Sequence, residues 1–169
     1  MVYEPALLDE LEQLDGEAYD LQVFRHMFNE LPPERANSRG ARWNPPGVSA
    51  IYASRERSTA IAEAEWAISV QPLRPSTTRQ LYKIDVSLTS ALNLTHAGLL
   101  EKLGIGEAEL TGIEHGPCQM VGGAAYWLGH DAILVPSARA PGANVVIFAD
   151  RLDVDASFEV VSREDIAAS

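Results

Sequence analysis

The sequence predicts an α+β domain, because segments with the helical spacing of apolar residues occur together with segments typical of strands. Helices are expected at Glu4–Leu14, where apolar residues recur with a helical period, and at Arg57–Val70. A strand is expected at Arg79–Leu88, where apolar and polar residues largely alternate. The two most apolar segments, Asp131–Pro136 and Asn144–Ala149, are expected to form core strands. Helices and a sheet would therefore pack together in one domain.

Length and composition indicate one domain that covers residues 1–169. With 46% hydrophobic and 22% charged residues, the chain has an ordinary globular profile. No apolar run approaches the roughly 20 residues that a membrane helix needs. The acidic N-terminus lacks the basic flank of a secretory signal, and the single cysteine, Cys118, excludes an internal disulfide. We therefore expect a cytoplasmic protein, or one delivered without a classical signal, that makes no membrane contact.

The remaining elements are predicted from local patterns of apolar, proline and glycine residues. Ser54 or Ser58 is expected to cap the helix that starts at Arg57. We expect strands at Leu21–Phe28, Val48–Ser54 and, at a sheet edge, Phe158–Val161. We expect helices at Leu92–Ile105 and Pro117–Gly129. The segments without regular structure are a loop at Leu31–Arg39, an irregular segment at Glu107–Gly112 and a turn at Ser137–Gly142.

Charge is distributed unevenly along the chain. The net charge of −11 argues against broad binding to nucleic acid, which needs a basic surface. Residues 25–57 nevertheless contain six arginines and three glutamates. Solvated surface charge explains part of this excess, while Arg25 and Arg42 are candidates for a focused anion pocket, since the arginine fork donates two hydrogen bonds to phosphate. A structural salt bridge is the alternative for Arg25, because arginine is seldom buried without an anionic partner.

Several motifs in a fixed order resemble the RES domain, a family named for its Arg, Glu and Ser. They are the run GARWNPPG, Tyr52 on the next strand, Glu63 on the following helix, and the segment AILVPSARAPGANVVI with Ser137 and Asn144. The resemblance covers about Val23–Arg151. Members are mostly toxins of bacterial toxin–antitoxin pairs, with a fold like that of ADP-ribosyltransferases, which break down NAD or in some cases attach ADP-ribose to a protein.

The resemblance implies a central split β-sheet flanked by helices, and an activity that degrades NAD at the nicotinamide–ribose bond. The enzyme would be an NAD phosphorylase or glycohydrolase, depending on whether phosphate or water is the acceptor. No cofactor is implied, since NAD is the substrate and inorganic phosphate a possible co-substrate. The implied partner is an antitoxin with an Xre-like DNA-binding domain, through which any contact with DNA would come.

Four residues are implied as catalytic: Arg25, Tyr52, Glu63 and Ser137. Glu63 would stabilise positive charge that develops on the ribose, in the way that glycosidases use a carboxylate. Glu65 lies about 200° away on the same helix, and the spacing of the family selects Glu63. Tyr52 would pack on nicotinamide, and Ser137 would orient nicotinamide or a phosphate. Arg25, together with Arg42, would hold the pyrophosphate or the acceptor phosphate.

Further substrate-binding candidates accompany Arg42: Trp43, Asn44, His26 and Asn144. A core position is the alternative for Trp43, and hydrogen bonds to the backbone of the turn are the alternative for Asn44. His26 stands where many relatives have tyrosine, which departs from the family pattern. For Tyr52, a half-buried tyrosine of purely structural role is the alternative.

Other kinds of site are not supported. The four histidines and Cys118 lack the spacing of zinc ligands, and neither a P-loop nor a Rossmann fingerprint is present. Ser137 lies in VPSAR, which is not the GxSxG of a hydrolase nucleophile. Two rival functions stay open: a protein mono-ADP-ribosyltransferase that uses NAD, and a non-catalytic nucleotide-binding interaction domain.

Overall fold

Helices and strands are interspersed along the chain in a computed structural model that describes residues 2–71, 73–74, 76–152 and 157–167. The α+β prediction is confirmed. In chain order the elements are α1 (Pro5–Glu12), β1 (Glu17–Phe28), β2 (Ala50–Ser54), α2 (Arg57–Val70), β3 (Arg79–Asn93), α3 (Leu99–Lys102), α4 (Glu107–Thr111), α5 (Gly116–Trp127), β4 (Ala132–Pro136), β5 (Ala143–Phe148), a 3-10 turn (Ala149–Arg151) and β6 (Phe158–Ile166).

The six strands form two three-stranded sections. In one, β3 lies between β1 and β6, and both pairings are antiparallel. In the other, β5 lies between β2 and β4, again with antiparallel pairings. The sections meet at the single pair Phe24–Ser54 and along a short parallel stretch in which Ala91–Asn93 face Ala132–Leu134. The groove described below lies at the Phe24–Ser54 junction.

Side-chain alternation along the strands separates two apolar clusters. Val23 and Met27 of β1 pack with Ile51 of β2 in a core between the two sheet sections. The opposite face of the second section packs on α1 and α5, in a cluster that includes Leu11, Trp43, Val121, Ile133 and Phe148. Helix α2 packs against β1 and β2. Phe24, His26 and Phe28 are therefore directed away from the first cluster and toward α2.

Close packing of α5 fixes the segment before β2. A Cβ atom added at Gly122 would lie 1.7 Å from the main-chain oxygen of Trp43, so only glycine lets the helix approach this closely. The Trp43 side chain is itself buried in the core. The loop that carries Arg42 and Asn44 is thus held by packing as well as by hydrogen bonds.

Several predicted boundaries change. The strand β3 continues to Asn93, which overturns the predicted helical start at Leu92, and only Leu99–Lys102 of that segment is helical. Residues 107–111 form a regular short helix, and β6 continues to Ile166. The predicted capping of α2 by Ser54 or Ser58 is wrong: the N-cap residue is Glu56, without a side-chain capping bond. Within the described ranges, no helix combines the length and apolarity needed to cross a bilayer.

Candidate functional site

A groove of about 200 Å³ lies between α2, β1, β2 and the start of β5. Its walls combine aromatic rings from β1 and β2, small side chains from α2, and a few polar groups. The lining residues are Phe24, His26, Phe28, Tyr52, Ala53, Ser54, Ala60, Glu63, Ala64, Ala67 and Asn144. Four of the predicted site residues therefore come together here: His26, Tyr52, Glu63 and Asn144.

The carboxylate of Glu63 is oriented by Ser137. The Ser137 hydroxyl donates to Oε1 of Glu63 over 2.7 Å, and it accepts hydrogen bonds from the main-chain N–H groups of Arg139 and Ala140, at 3.1 and 3.3 Å. Because a hydroxyl has a single proton to donate, that proton is committed to the carboxylate. Ser137 therefore fixes Glu63 in this structure, and the predicted contact of Ser137 with nicotinamide or phosphate stays a prediction.

Tyr52 presents its ring to the groove while its hydroxyl is held behind it. The phenol donates to Oδ1 of Asn44 and accepts from the main-chain N–H of Trp43 over 3.0 Å. Burial raises the pKa of Tyr52 well above its ordinary value. The phenol is therefore neutral near pH 7, and the part of Tyr52 that a ligand would meet is the apolar ring.

Trp43 and Asn44 lie outside the groove lining. Trp43 is buried in the core, and the fully buried amide of Asn44 donates to the carbonyls of Asn37 and Val48, at 3.1 and 2.7 Å. Trp43 therefore has the surroundings of a core residue, and Asn44 forms hydrogen bonds to the backbone of the turn, as their alternative interpretations predict. Asn144 does line the groove, where its Oδ1 accepts a 2.7 Å hydrogen bond from the Ser54 hydroxyl.

Arg25 braces β1 against its neighbours. Its guanidinium donates to the carbonyl of Tyr52 over 2.8 Å and to that of Arg35 over 2.6 Å, and its Nε contacts the sulfur of Met27 at 3.1 Å. Burial lowers the pKa of Arg25 to about 10, against the opposing effect of Glu34, so the group stays charged at pH 7. These partners are neutral groups of the protein, and the predicted ligand contact of Arg25 stays a prediction.

Arg42 is tied to the C-terminal end of α4. It donates to the carbonyls of Glu109 and Gly112, at 3.0 and 2.8 Å. Carbonyl groups at a helix end carry partial negative charge, which suits a cation. This arginine therefore links the loop before β2 to α4.

His26 is held in one tautomer by a buried arginine. Nε of Arg79 donates to Nε2 of His26 over 3.0 Å, and the same guanidinium forms a 3.0 Å ion pair with Glu65. The pKa of His26 is lowered to about 4, chiefly by burial and then by the Arg79 charge, with Glu65 opposing. The imidazole is therefore neutral, and its proton lies on Nδ1 because Nε2 accepts from Arg79.

Arg139 and Trp66, which the sequence patterns did not single out, lie near the Glu63–Ser137 pair. The guanidinium carbon of Arg139 lies 3.7 Å from the centroid of the Trp66 ring. Trp66 follows Glu63 by three positions on α2, and Arg139 follows Ser137 by two, so both flank the Glu63–Ser137 hydrogen bond. Helical spacing from Glu63 could have indicated Trp66, but nothing in the local sequence shows that Arg139 stacks on it.

Residues 15–167 match the family described as RES domain. The chain belongs to the RES domain family. Its relatives include the proteins named NAD(+) phosphorylase MbcT of Mycobacterium bovis and of Mycobacterium tuberculosis, each 32% identical over 130 residues, which is 72% of this chain and 68% of the relative. The resemblance predicted from the motifs is confirmed.

A solved structure supports the same fold. The chain superposes with a TM-score of 0.85 on a chain of the crystal structure of the M. tuberculosis MbcT–MbcA toxin–antitoxin complex, with 22% sequence identity. The match covers 96% of this chain and 93% of the other. The arrangement of α2, β1 and β2 around the groove therefore belongs to a fold that is known from experiment.

Proposed function

We propose that this RES protein cleaves the bond between nicotinamide and ribose in NAD and transfers the ADP-ribosyl group to inorganic phosphate. The observation that carries the proposal is the Glu63 carboxylate on the groove wall, held by the Ser137 hydroxyl at 2.7 Å beside the Tyr52 ring. The name NAD(+) phosphorylase, given to relatives at 32% identity, supports the same reaction.

The reaction needs a stabiliser of positive charge more than it needs an acid or a base. Nicotinamide is already cationic in NAD, and it leaves as a neutral molecule when the bond between its nitrogen and the ribose anomeric carbon breaks. The electron pair of that bond stays on the nitrogen, and the anomeric carbon becomes positively charged. A phosphate oxygen then forms the new bond to carbon. Hydrogen phosphate can attack without losing its proton, so no general base is required.

Glu63 is placed to stabilise this transition state. A carboxylate held by a neutral hydroxyl keeps its full negative charge, whereas a carboxylate in an ion pair is already compensated. Because Ser137 is itself fixed by two main-chain N–H groups, the carboxylate does not need to reorient as charge develops. This is the preorganisation by which enzymes gain most from electrostatics.

The groove suits one end of the dinucleotide. Its volume of about 200 Å³ is below the roughly 300 Å³ at which sites for drug-sized ligands begin. We therefore place the nicotinamide ring against Tyr52 and the ribose at Glu63, with the rest of NAD along the rim. His26 offers a neutral imidazole whose Nδ1–H can donate to an oxygen of the substrate.

The proposed biological role is that of a toxin. We propose that the split sheet is of the ADP-ribosyltransferase kind, that the protein depletes NAD in the cytoplasm, and that an antitoxin with an Xre-like DNA-binding domain restrains it. Expression alone should then stop growth and lower cellular NAD, and co-expression of the antitoxin should restore both. Normal growth with unchanged NAD on strong expression would argue against the role.

Product analysis tests the chemistry. The purified protein is incubated with NAD, with and without phosphate, and the products are identified by mass spectrometry. The proposal predicts nicotinamide and ADP-ribose carrying a phosphate on the anomeric carbon, formed only when phosphate is present. Free ADP-ribose in both samples would identify water as the acceptor, and a protein of increased mass would identify an ADP-ribosyltransferase. Intact NAD in both samples would contradict an NAD-consuming enzyme.

A further inference from the structure

Two arginines from distant segments converge at the C-terminal end of α4. Arg42, from the loop before β2, donates to the carbonyls of Glu109 and Gly112. Arg139, from the turn between β4 and β5, donates over 3.2 Å to the carbonyl of Thr111, which lies between them in sequence. The carbonyls of one helix end therefore bring the two guanidinium groups close together.

The positive charge of this pair is only partly compensated. Among the described residues, neither arginine forms an ion pair with a carboxylate within 4.0 Å. The pKa of Arg139 is lowered by burial and by the charge of Arg42, while Glu63 opposes the shift. Burial lowers the pKa of the nearby His115, and the positive charges of Arg42 and Arg139 lower it further. The Glu114 carboxylate has the opposite effect. In a chain of net charge −11, this is a local concentration of positive potential.

The Arg139 guanidinium contacts an aromatic ring and has further hydrogen-bond donors. One face of its guanidinium lies on the Trp66 ring, at 3.7 Å from the centroid. A guanidinium has five N–H donors in its plane, and stacking leaves those edge positions accessible, although one donates to the Thr111 carbonyl. Its main-chain N–H bonds the Ser137 hydroxyl that orients Glu63. The stacked guanidinium is therefore linked by a short chain of contacts to the carboxylate at which ribose would bind.

We propose that Arg139, stacked on Trp66 and supported by Arg42, binds the inorganic phosphate that attacks the ribose. This assignment rests on the proposed function. A phosphate dianion that approaches the anomeric carbon must come close to the Glu63 carboxylate, which repels it. A cation beside Glu63 removes that repulsion, and the planar fork of arginine fits two phosphate oxygens at once. The diphosphate of NAD has the same chemistry, but it lies several bonds from the carbon that reacts.

The test separates the two sources of phosphate. Rates of nicotinamide release are measured while phosphate and NAD are varied independently, for the wild type and for Arg139→Gln, Arg139→Lys and Arg151→Gln. Arg151 is the matched control, because it also lies over an aromatic ring, that of Tyr126, at 4.3 Å. Arg139→Gln should raise the KM for phosphate by roughly tenfold or more, as for the loss of a charged hydrogen bond. Its KM for NAD should stay within about twofold of the wild type.

The two further variants sharpen the result. Arg139→Lys keeps the charge but loses the planar fork, so its KM for phosphate should lie between those of the wild type and Arg139→Gln. Arg151→Gln should change neither constant. An unchanged KM for phosphate in folded Arg139→Gln would overturn the assignment, as would a rise in the KM for NAD alone, which would place the diphosphate at Arg139.

A binding measurement distinguishes failure of this site from failure of the proposed function. Inorganic phosphate is titrated with protein in the absence of NAD, and its ³¹P line width is followed. Broadening by the wild type and by Arg151→Gln, but not by Arg139→Gln, supports the site even if the wild type leaves NAD intact. Equal broadening by all three proteins, or none by the wild type, would overturn it. Melting temperatures of all variants show whether each is folded.

Discussion

Two carboxylates on the same helix have opposite surroundings. Glu63 is half-buried, faces the groove, and is held by the neutral hydroxyl of Ser137. Glu65, two positions later, is exposed and forms an ion pair with the buried guanidinium of Arg79. Among the described residues, Glu63 forms no ion pair within 4.0 Å, so we expect its charge to be available to a cationic transition state, whereas the charge of Glu65 is matched by Arg79. Residue type alone therefore does not distinguish the two acids; their partners do.

The largest expected effect is on turnover by Glu63→Gln. The amide keeps the size of the side chain and can still bond Ser137, but it has no charge to offer to the ribose. Turnover should fall by about 10²–10³-fold, the loss seen when one preorganised electrostatic partner is removed. Steady-state release of nicotinamide measures this, and the melting temperature should stay close to that of the wild type. A turnover equal to that of the wild type would remove Glu63 from the mechanism.

A smaller loss is expected when the orientation of Glu63 is released. Ser137→Ala removes the hydrogen bond to Oε1 but leaves the charge. Turnover should fall by roughly ten- to hundredfold, since a hydrogen bond to a charged group contributes about 1.5–3 kcal/mol. The matched variant Ser137→Thr retains a hydroxyl and should recover most of the activity. If alanine and threonine were equally active, Ser137 would not position the carboxylate.

Glu65→Gln should act on stability, with little change in turnover. The Arg79 side chain is 3% exposed and would lose its carboxylate partner, but the Glu65 side chain is 50% exposed, so solvent weakens the pair. We expect a loss of about 1 kcal/mol in the free energy of unfolding, measured by urea denaturation, and turnover within about threefold of the wild type. A collapse of turnover in the folded variant would reverse the roles assigned to the two acids.

The effect with the least influence at neutral pH is a pH dependence of stability that originates at His26. Its folded pKa of about 4 lies below the unfolded value of 6.5, so the unfolded chain binds the proton first as the pH falls. Stability should therefore decrease from about pH 6.5 toward pH 4, and should be insensitive to His26 above that window. Melting temperatures of the wild type and of His26→Gln, recorded from pH 4 to 8, test this. Parallel curves would show that His26 does not contribute.

Much of this comparison could be predicted from the sequence. The helical repeat placed Glu63 and Glu65 on different sides of α2, and the predicted limits of α2 agree with those observed. Strand alternation likewise separates His26 from Arg25 on β1. The sequence could not show which neighbours each side meets, because Arg79 and Ser137 reach α2 through the pairing of distant strands.

Arg25 and Arg139 show where local patterns stop being informative. Arg25 was a predicted site residue and Arg139 was not, but Arg25 donates to the carbonyls of Tyr52 and Arg35, while Arg139 lies on Trp66 beside Glu63. Strand length was also underestimated at β3, since Thr89 and Ser90 interrupt the apolar alternation but bond Asp131. Such contacts depend on the assembled sheet, and no short-range signal encodes them.

The most direct test of the central claim uses phosphate labelled with ¹⁸O at all four oxygens. The wild type and Glu63→Gln are incubated with NAD in this buffer, and the masses of the ADP-ribose products are measured by mass spectrometry. If phosphate attacks the anomeric carbon at Glu63, the wild-type product carries a phosphate with all four labelled oxygens, and Glu63→Gln makes almost none. Unlabelled ADP-ribose as the sole product, or equal labelled product from Glu63→Gln, would contradict the account.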